Sequence, residues 1–315
     1  MGLKTIAASC LVGALAVAIA LQGDGDNVRS GGAPTPAAPR DSARSTDGVP
    51  VRILPGSAAA VDWLAALGIE PDRVVALPVQ ADRWALMRLT PEPWAERPRY
   101  ERLTSEVALG FKPDLVLVSP FSNASAVERI RSGGVEVLSV LEPTDWDGLL
   151  ASGSALAAAV GAEESGVQLI EALGSRKTAL AARPHAALKV LPYGNFGGGG
   201  TTAGTGTTID LALELAGFTN AAAASGISGN DDLTHEQILS IEFDAVLVLG
   251  EEDLVTSTSA EILCGLDVLA EVGPIRERRF LVLSEALYAA ASLAIVDAAE
   301  ELARQGDRLG EGSSD

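Results

Sequence analysis

The stretch Thr104-Ser105-Glu106-Val107-Ala108-Leu109-Gly110-Phe111-Lys112-Pro113-Asp114, which runs into the apolar Leu115-Val116-Leu117-Val118-Ser119, has an echo far along the chain. There Leu233-Thr234-His235-Glu236-Gln237-Ile238-Leu239-Ser240-Ile241-Glu242-Phe243-Asp244 runs into Ala245-Val246-Leu247-Val248-Leu249. In both copies a threonine and an acid two positions on open a short helical segment, and an aspartate precedes a run of aliphatic residues. A short unbroken apolar run bounded by turn residues suits a strand covered on both faces. Two such units far apart predict two α/β lobes.

The rest of the chain fits this plan. Strands are expected at Val51 to Leu54, Val74 to Leu77, Leu115 to Ser119 and Val135 to Val140, with helices at Ala58 to Leu67, Ser105 to Phe111 and Ala124 to Ser132. From Asp147 to about Arg183 almost every residue favours helix, with interruptions near Gly161 and Gly174 and a stop at Pro184. Alternation then resumes, with strands at Leu188 to Leu191, Ala245 to Leu249 and Phe280 to Leu283, and helices near Thr208 to Ala216, Thr234 to Ile241 and Ala289 to Arg304. The expected organisation is an N-terminal lobe at 49–146, a connecting helix at 147–184, a C-terminal lobe at 185–306 and a flexible tail at 307–315. The fold class is α/β: two lobes, each a small parallel-rich sheet flanked by helices, joined by one long backbone helix.

Residues 1–22 carry one cation, Lys4, an apolar run from about Ile6 to Leu21 and small residues in A-x-A register at Ala18 and Ala20. This reads as an export signal, either cleaved or retained as an anchor, although the run is slightly short for a span of about 20 residues. Cys10, after Ala7-Ala8-Ser9, offers a third reading as a lipidation site, but it stands near the start of the apolar stretch rather than after it. Residues 23–48 are rich in Gly, Pro, Ser and Asp with no apolar period, which suits a disordered linker. The expected location is therefore extracytoplasmic.

Composition narrows the function. Of 315 residues 47% are hydrophobic, so the chain can build a sizeable core. Forty-two acidic residues against 23 basic ones leave a net charge of −19, which would repel a phosphate backbone, so nucleic acid is not expected as a partner. Two cysteines and two histidines, Cys10, Cys264, His185 and His235, are too few for a disulfide framework or a metal site built from these residues alone. Cys264 reads as a small core residue, His185 as a surface residue and His235 as part of a helix cap. No G-x-S-x-G nucleophile elbow occurs, and nothing demands an enzyme or a cofactor.

The glycine cluster from Gly197 to Thr208 follows a strand and precedes a helix, where phosphate loops sit. It lacks the P-loop lysine, and its partial match to a dinucleotide fingerprint has no acid at the end of a second strand. A mobile loop lining a ligand cleft, with backbone N–H groups accessible, is the preferred reading.

The two echoing units, the segment TAGTGTTIDLALELAGFTNAAA at 202–223, AVDWLAALGIEPDRVVALP at 60–78 and the terminal RERRFLVLSEALYAAASLAIVDAAEELARQ at 276–305 appear in an order that resembles the substrate-binding proteins of ABC importers for cobalamin, heme and ferric siderophores. The resemblance spans about Val51 to Gln305, with Phe243 standing where the family pattern has proline. It implies a ligand cleft between lobes, a protein that delivers an iron chelate, heme or cobalamin-like ligand to membrane permease subunits, and a monomer. It also implies a docking acid on each lobe, Glu106 and Glu236, whose bland alternative is a first-turn acid complementing a helix dipole.

Candidate ligand-binding residues on loops after strands are Arg83, Trp84 and Arg88, with Met87 nearby, then Phe121 and Asn123, Trp146, Tyr193 and Phe196, and Tyr288. Trp84 between arginines could stack on a planar ligand and pair its anionic groups, or else cap the core. Heme would want an axial ligand, for which Tyr193, Tyr288 or Met87 could serve, whereas a siderophore already fills the coordination sphere of its iron, so a ferric siderophore leads. Two other functions stay open: a two-lobed envelope protein for sensing or partner binding without transport, and a nucleotide-using α/β enzyme.

Overall fold

The structure, a computed structural model, describes residues 48–86, 91–183, 187–195, 198–250 and 257–311, which form two compact units. The described part of the first unit comprises 48–175 and 289–294. Its strands are β1 (Ile53–Pro55), β2 (Leu77–Pro78), β3 (Arg99–Tyr100), β4 (Leu115–Val118) and β5 (Glu136–Ser139). β1, β4 and β5 form one sheet with β4 in the centre, and β2 pairs with β3, every pairing being parallel. A parallel bridge from Ile53 to Val74 links the two. The expected strand from Val74 to Leu77 is therefore only that bridge, followed by two residues of β2. Central β4 is buried at all four positions, as a strand between two neighbours and two helical layers must be.

The helices of this unit are α1 (Ala58–Ala66), α2 (Ala81–Trp84), α3 (Ser105–Gly110), α4 (Ala124–Ser132) and α5 (Trp146–Val160). Ser57, Thr104, Asn123 and Asp145 cap four of them, each side chain accepting a first-turn backbone N–H. The long helical stretch is two helices, α5 and α6 (Glu163–Ala181), separated at Gly161, whose φ of 68° is the left-handed conformation glycine adopts without steric cost. Gly174 lies inside α6 and breaks nothing. Trp63 on α1 is fully buried, and a Cβ at Gly153 on α5 would stand 2.8 Å from its Cζ3. Gly153→Val should therefore lower stability by about 1–3 kcal/mol through overpacking, read as the midpoint of denaturant unfolding.

The described part of the second unit comprises 176–288 and 295–311. Its strands are β6 (Lys189–Pro192), β7 (Gly194–Asn195), β8 (Gly200–Ala203), β9 (Thr219–Asn220), β10 (Asn230–Asp232), β11 (Ala245–Leu249) and β12 (Phe280–Leu283). A parallel sheet runs β12-β11-β6-β9, and an antiparallel sheet runs β10-β8-β7. Its helices are α7 (Thr208–Leu215), α8 (Ala221–Ala224), α9 (His235–Ser240), α10 (Thr258–Cys264), α11 (Gly273–Arg276), α12 (Glu285–Tyr288) and α13 (Ala294–Glu311). α13 begins later than its composition suggests, because Ala289–Ala294 passes through the first unit, where buried Ser292 accepts the Ala294 N–H at 3.2 Å.

The sequence echo is a structural echo. The Asp114 carboxylate accepts the backbone N–H groups of Val51 and Arg52 just before β1, at 2.9 and 3.0 Å. The Asp244 carboxylate accepts that of Lys189 at the start of β6, at 2.7 Å. β1 and β6 are the parallel partners of β4 and β11. In each unit the aspartate thus sets the register of the first strand against the central one.

Candidate functional site

In the first unit all parallel strands end at one edge, and the loops leaving that edge carry three exposed apolar side chains. Val79 follows β2, Phe121 follows β4 and Leu141 follows β5, at 38%, 68% and 58% exposure. The register pairs Val118 with Ser139, so the Phe121 and Leu141 loops leave adjacent strands side by side. Val79 and Leu141 escaped the sequence reading, since an aliphatic residue one or two places beyond a strand looks like the strand's own continuation.

The remaining described candidates in this unit stand on or beside the helices that follow β2, β4 and β5. Arg83 is exposed and Trp84 half-buried at the end of α2, and the indole N–H of Trp84 is buried without a partner among the described residues. Asp82 holds α2 to β3 through a two-oxygen pairing with Arg99 at 2.8–3.0 Å. Asn123 is the N-cap of α4, accepting from Ala126 N–H at 2.9 Å, which gives it a structural task. Trp146 is half-buried at the first position of α5. Met87, Arg88, His185 and Phe196 lie outside the described residues.

In the second unit the candidates are less open. Tyr193 is 1% exposed, packed in the core and laid over Gly200, where a Cβ would come within 2.9 Å of its ring. Tyr288 ends α12, half-buried, and burial pushes its phenol up to about 12, so it is neutral at physiological pH.

From Gly200 onward the glycine cluster is not the donor-rich loop expected. Gly200–Ala203 is the middle strand of the antiparallel sheet, because Thr201 and Thr202 suit a strand and the glycine admits Tyr193. The N–H groups beyond it are already used, Gly204 donating to Gly229 O, Thr205 to Ile227 O and Gly206 to the Asp210 carboxylate. Thr207 caps α7, and Asn220 donates to both Ala203 O and Asp210 at 2.9 Å. The recognised motif is a scaffold, with no N–H groups left at 204–206 for a ligand. The helix cap expected of His235 belongs instead to Thr234, in a capping box with Gln237, while half-buried Cys264 packs against the core as expected.

Glu106 and Glu236 are exposed at matching positions, the second residues of α3 and α9, each following a threonine N-cap. The backbone N–H of Glu106 and the hydroxyls of Thr104 and Ser105 hold its carboxyl below the usual carboxylate range, and Ser105 in turn accepts from Arg129 at 3.0 Å. The backbone N–H of Glu236, the Thr234 hydroxyl and His235 lower the other. A carboxyl lowered in the folded chain stays charged until pH falls through that lowered midpoint, so mildly acidic solution leaves both charges in place.

Two grooves lie away from the strand-end edge. One, of about 490 Å³, lies in the second unit between α6 and α13, where Arg176 pairs with Asp297 and Glu300 at 2.7 and 2.8 Å; a shallower one beside Arg279 and Asp244 lies at the opposite ends of β11 and β12. Among the described residues no group of three or more metal-ligating side chains occurs, and no helix is long and apolar enough to cross a membrane. The apolar run from Ile6 to Leu21 lies outside those residues.

Residues 56–287 match the family described as Periplasmic binding protein, and the chain belongs to it. Solved structures agree on the fold. The periplasmic heme-binding protein RhuT from Roseiflexus sp. RS-1 superimposes with a TM-score of 0.68 at 24% identity, over 81% of this chain and 98% of that chain. An ABC-type Fe3+-hydroxamate transport protein from Saccharomonospora viridis gives 0.66 at 21% identity, over 82% and 94%. The periplasmic vitamin B12 binding protein BtuF of Vibrio cholerae gives 0.63 at 18% identity, over 83% and 98%. No curated protein matches the chain.

Proposed function

We propose that this chain is the extracytoplasmic binding protein of an ABC importer, that its cargo is a planar iron chelate of tetrapyrrole size, and that Glu106 and Glu236 dock it to the permease. The observation carrying the cargo reading is the set of exposed side chains Val79, Phe121 and Leu141 after strands β2, β4 and β5, with Trp84 at the end of α2, which follows β2. A flat apolar macrocycle buries such side chains, at about 25 cal/mol per Å² of apolar surface removed from water, while exposed Arg83 suits its carboxylates. Structural neighbours titled as heme-binding proteins support this reading. The hydroxamate-transport neighbour keeps a ferric siderophore as the second reading.

The test is titration of the purified protein with haemin, followed by its Soret band and by thermal unfolding. A saturable band shift and stabilisation of about 2.7 kcal/mol at 100 times the dissociation constant are expected. Stabilisation by a ferric hydroxamate or by cobalamin instead of haemin moves the cargo to that class. Failure of all three sinks the importer reading and returns the two-lobed sensor to first place.

A further inference from the structure

Asp62, on α1, is 4% exposed, and a buried carboxylate is tolerated only where its oxygens are used. Oδ1 accepts the backbone N–H of Leu86 at 2.6 Å, and Oδ2 accepts the hydroxyl of Ser292 at 2.7 Å. Ser292 is fully buried, and its oxygen accepts the N–H of Ala294, the first residue of α13. One side chain thus joins three pieces of the first unit: α1, the end of the segment bearing Arg83 and Trp84, and the 289–294 crossing.

The segment 81–86 is held at its start by Asp82 on Arg99 and at its end by Asp62. Loss of the Ser292 hydroxyl or of the Leu86 N–H removes one of the hydrogen bonds that hold this buried carboxylate, which weakens its hold on the other segment too. We propose that Asp62 is a positioning residue that couples the Arg83–Trp84 segment to the 289–294 crossing, so that the two order and loosen together. This rests on the cargo reading for its consequence: a ligand that orders residues 81–86 also seats the start of α13.

Amide hydrogen exchange of the full chain tests the coupling without any ligand. Ser292→Ala should speed exchange at Leu86 by about tenfold or more, although Ser292 bonds a different oxygen of Asp62, while β4 and β11 keep wild-type protection. Unchanged exchange at Leu86 overturns the proposal. Should Ser292→Ala open β4 as well, the wild-type chain in low denaturant decides: one shared opening for Leu86 and Ala294 supports the coupling, and separate openings overturn it. A haemin titration of Ser292→Ala, in which affinity should fall several-fold, tests the consequence; full affinity beside raised exchange removes it. Absence of haemin binding to the wild type defeats the cargo reading alone and leaves the exchange result standing.

Discussion

Glu106→Arg combined with Glu236→Arg is expected to leave cargo affinity near its original value while uptake falls at least about tenfold. Both carboxylates are exposed on short helices, and their stabilising partners lie in their own first turns apart from the more distant charge of Arg129, so reversal leaves the strand-end loops in place. Stability should drop slightly, because an acid in the first turn complements the helix dipole and an arginine opposes it. A permease surface bearing cations would attract the original pair and repel the reversed one. The measurements are haemin affinity of the purified double variant beside uptake in cells carrying it. Normal uptake with normal affinity reduces the pair to helix-dipole partners.

Tyr193→Ala and Phe121→Ala should part company. Tyr193 is buried in the core against Gly200, so its truncation should cost about 3–5 kcal/mol of stability, comparable to other buried aromatics. Phe121 is 68% exposed, and its truncation should barely move the unfolding midpoint. Haemin affinity should fall by about 1–3 kcal/mol in Phe121→Ala, and by a similar amount in Trp84→Ala, if the rings stack on the cargo in a desolvated site. Urea unfolding and haemin titration of the three variants give the comparison. Full affinity in both Phe121→Ala and Trp84→Ala would move the site away from this edge.

Much of the architecture was legible because it depends on neighbours in sequence. The helix at Ala124–Ser132 and the strands at Ala245–Leu249 and Phe280–Leu283 have the expected bounds. Each depends on a local cap or an uninterrupted apolar run. The aspartates before β4 and β11 were visible as part of the repeat, but their grip on the strand partners Arg52 and Lys189 was not.

The candidate site was legible only in part. Placing aromatic residues after strands chose Phe121, which is exposed, and Trp84, which is half-buried, yet the same rule also chose Tyr193, which belongs to the core. Exposure after a strand depends on what lies over the loop, and for Tyr193 the cover is β8, the strand that the glycine cluster conceals. Period, caps and the two echoing units were enough to determine two α/β units with parallel sheets and a long helical stretch between them, because those features are decided within a few residues of each other. Tertiary structure alone decided which strand-end side chains stay exposed, that the N–H groups at 204–206 are consumed internally, and that Asp62 meets Ser292 across a separation of 230 positions. Pairings at that distance are selected by burial and hydrogen-bond satisfaction in the assembled core, for which no local pattern along the chain provides a signal.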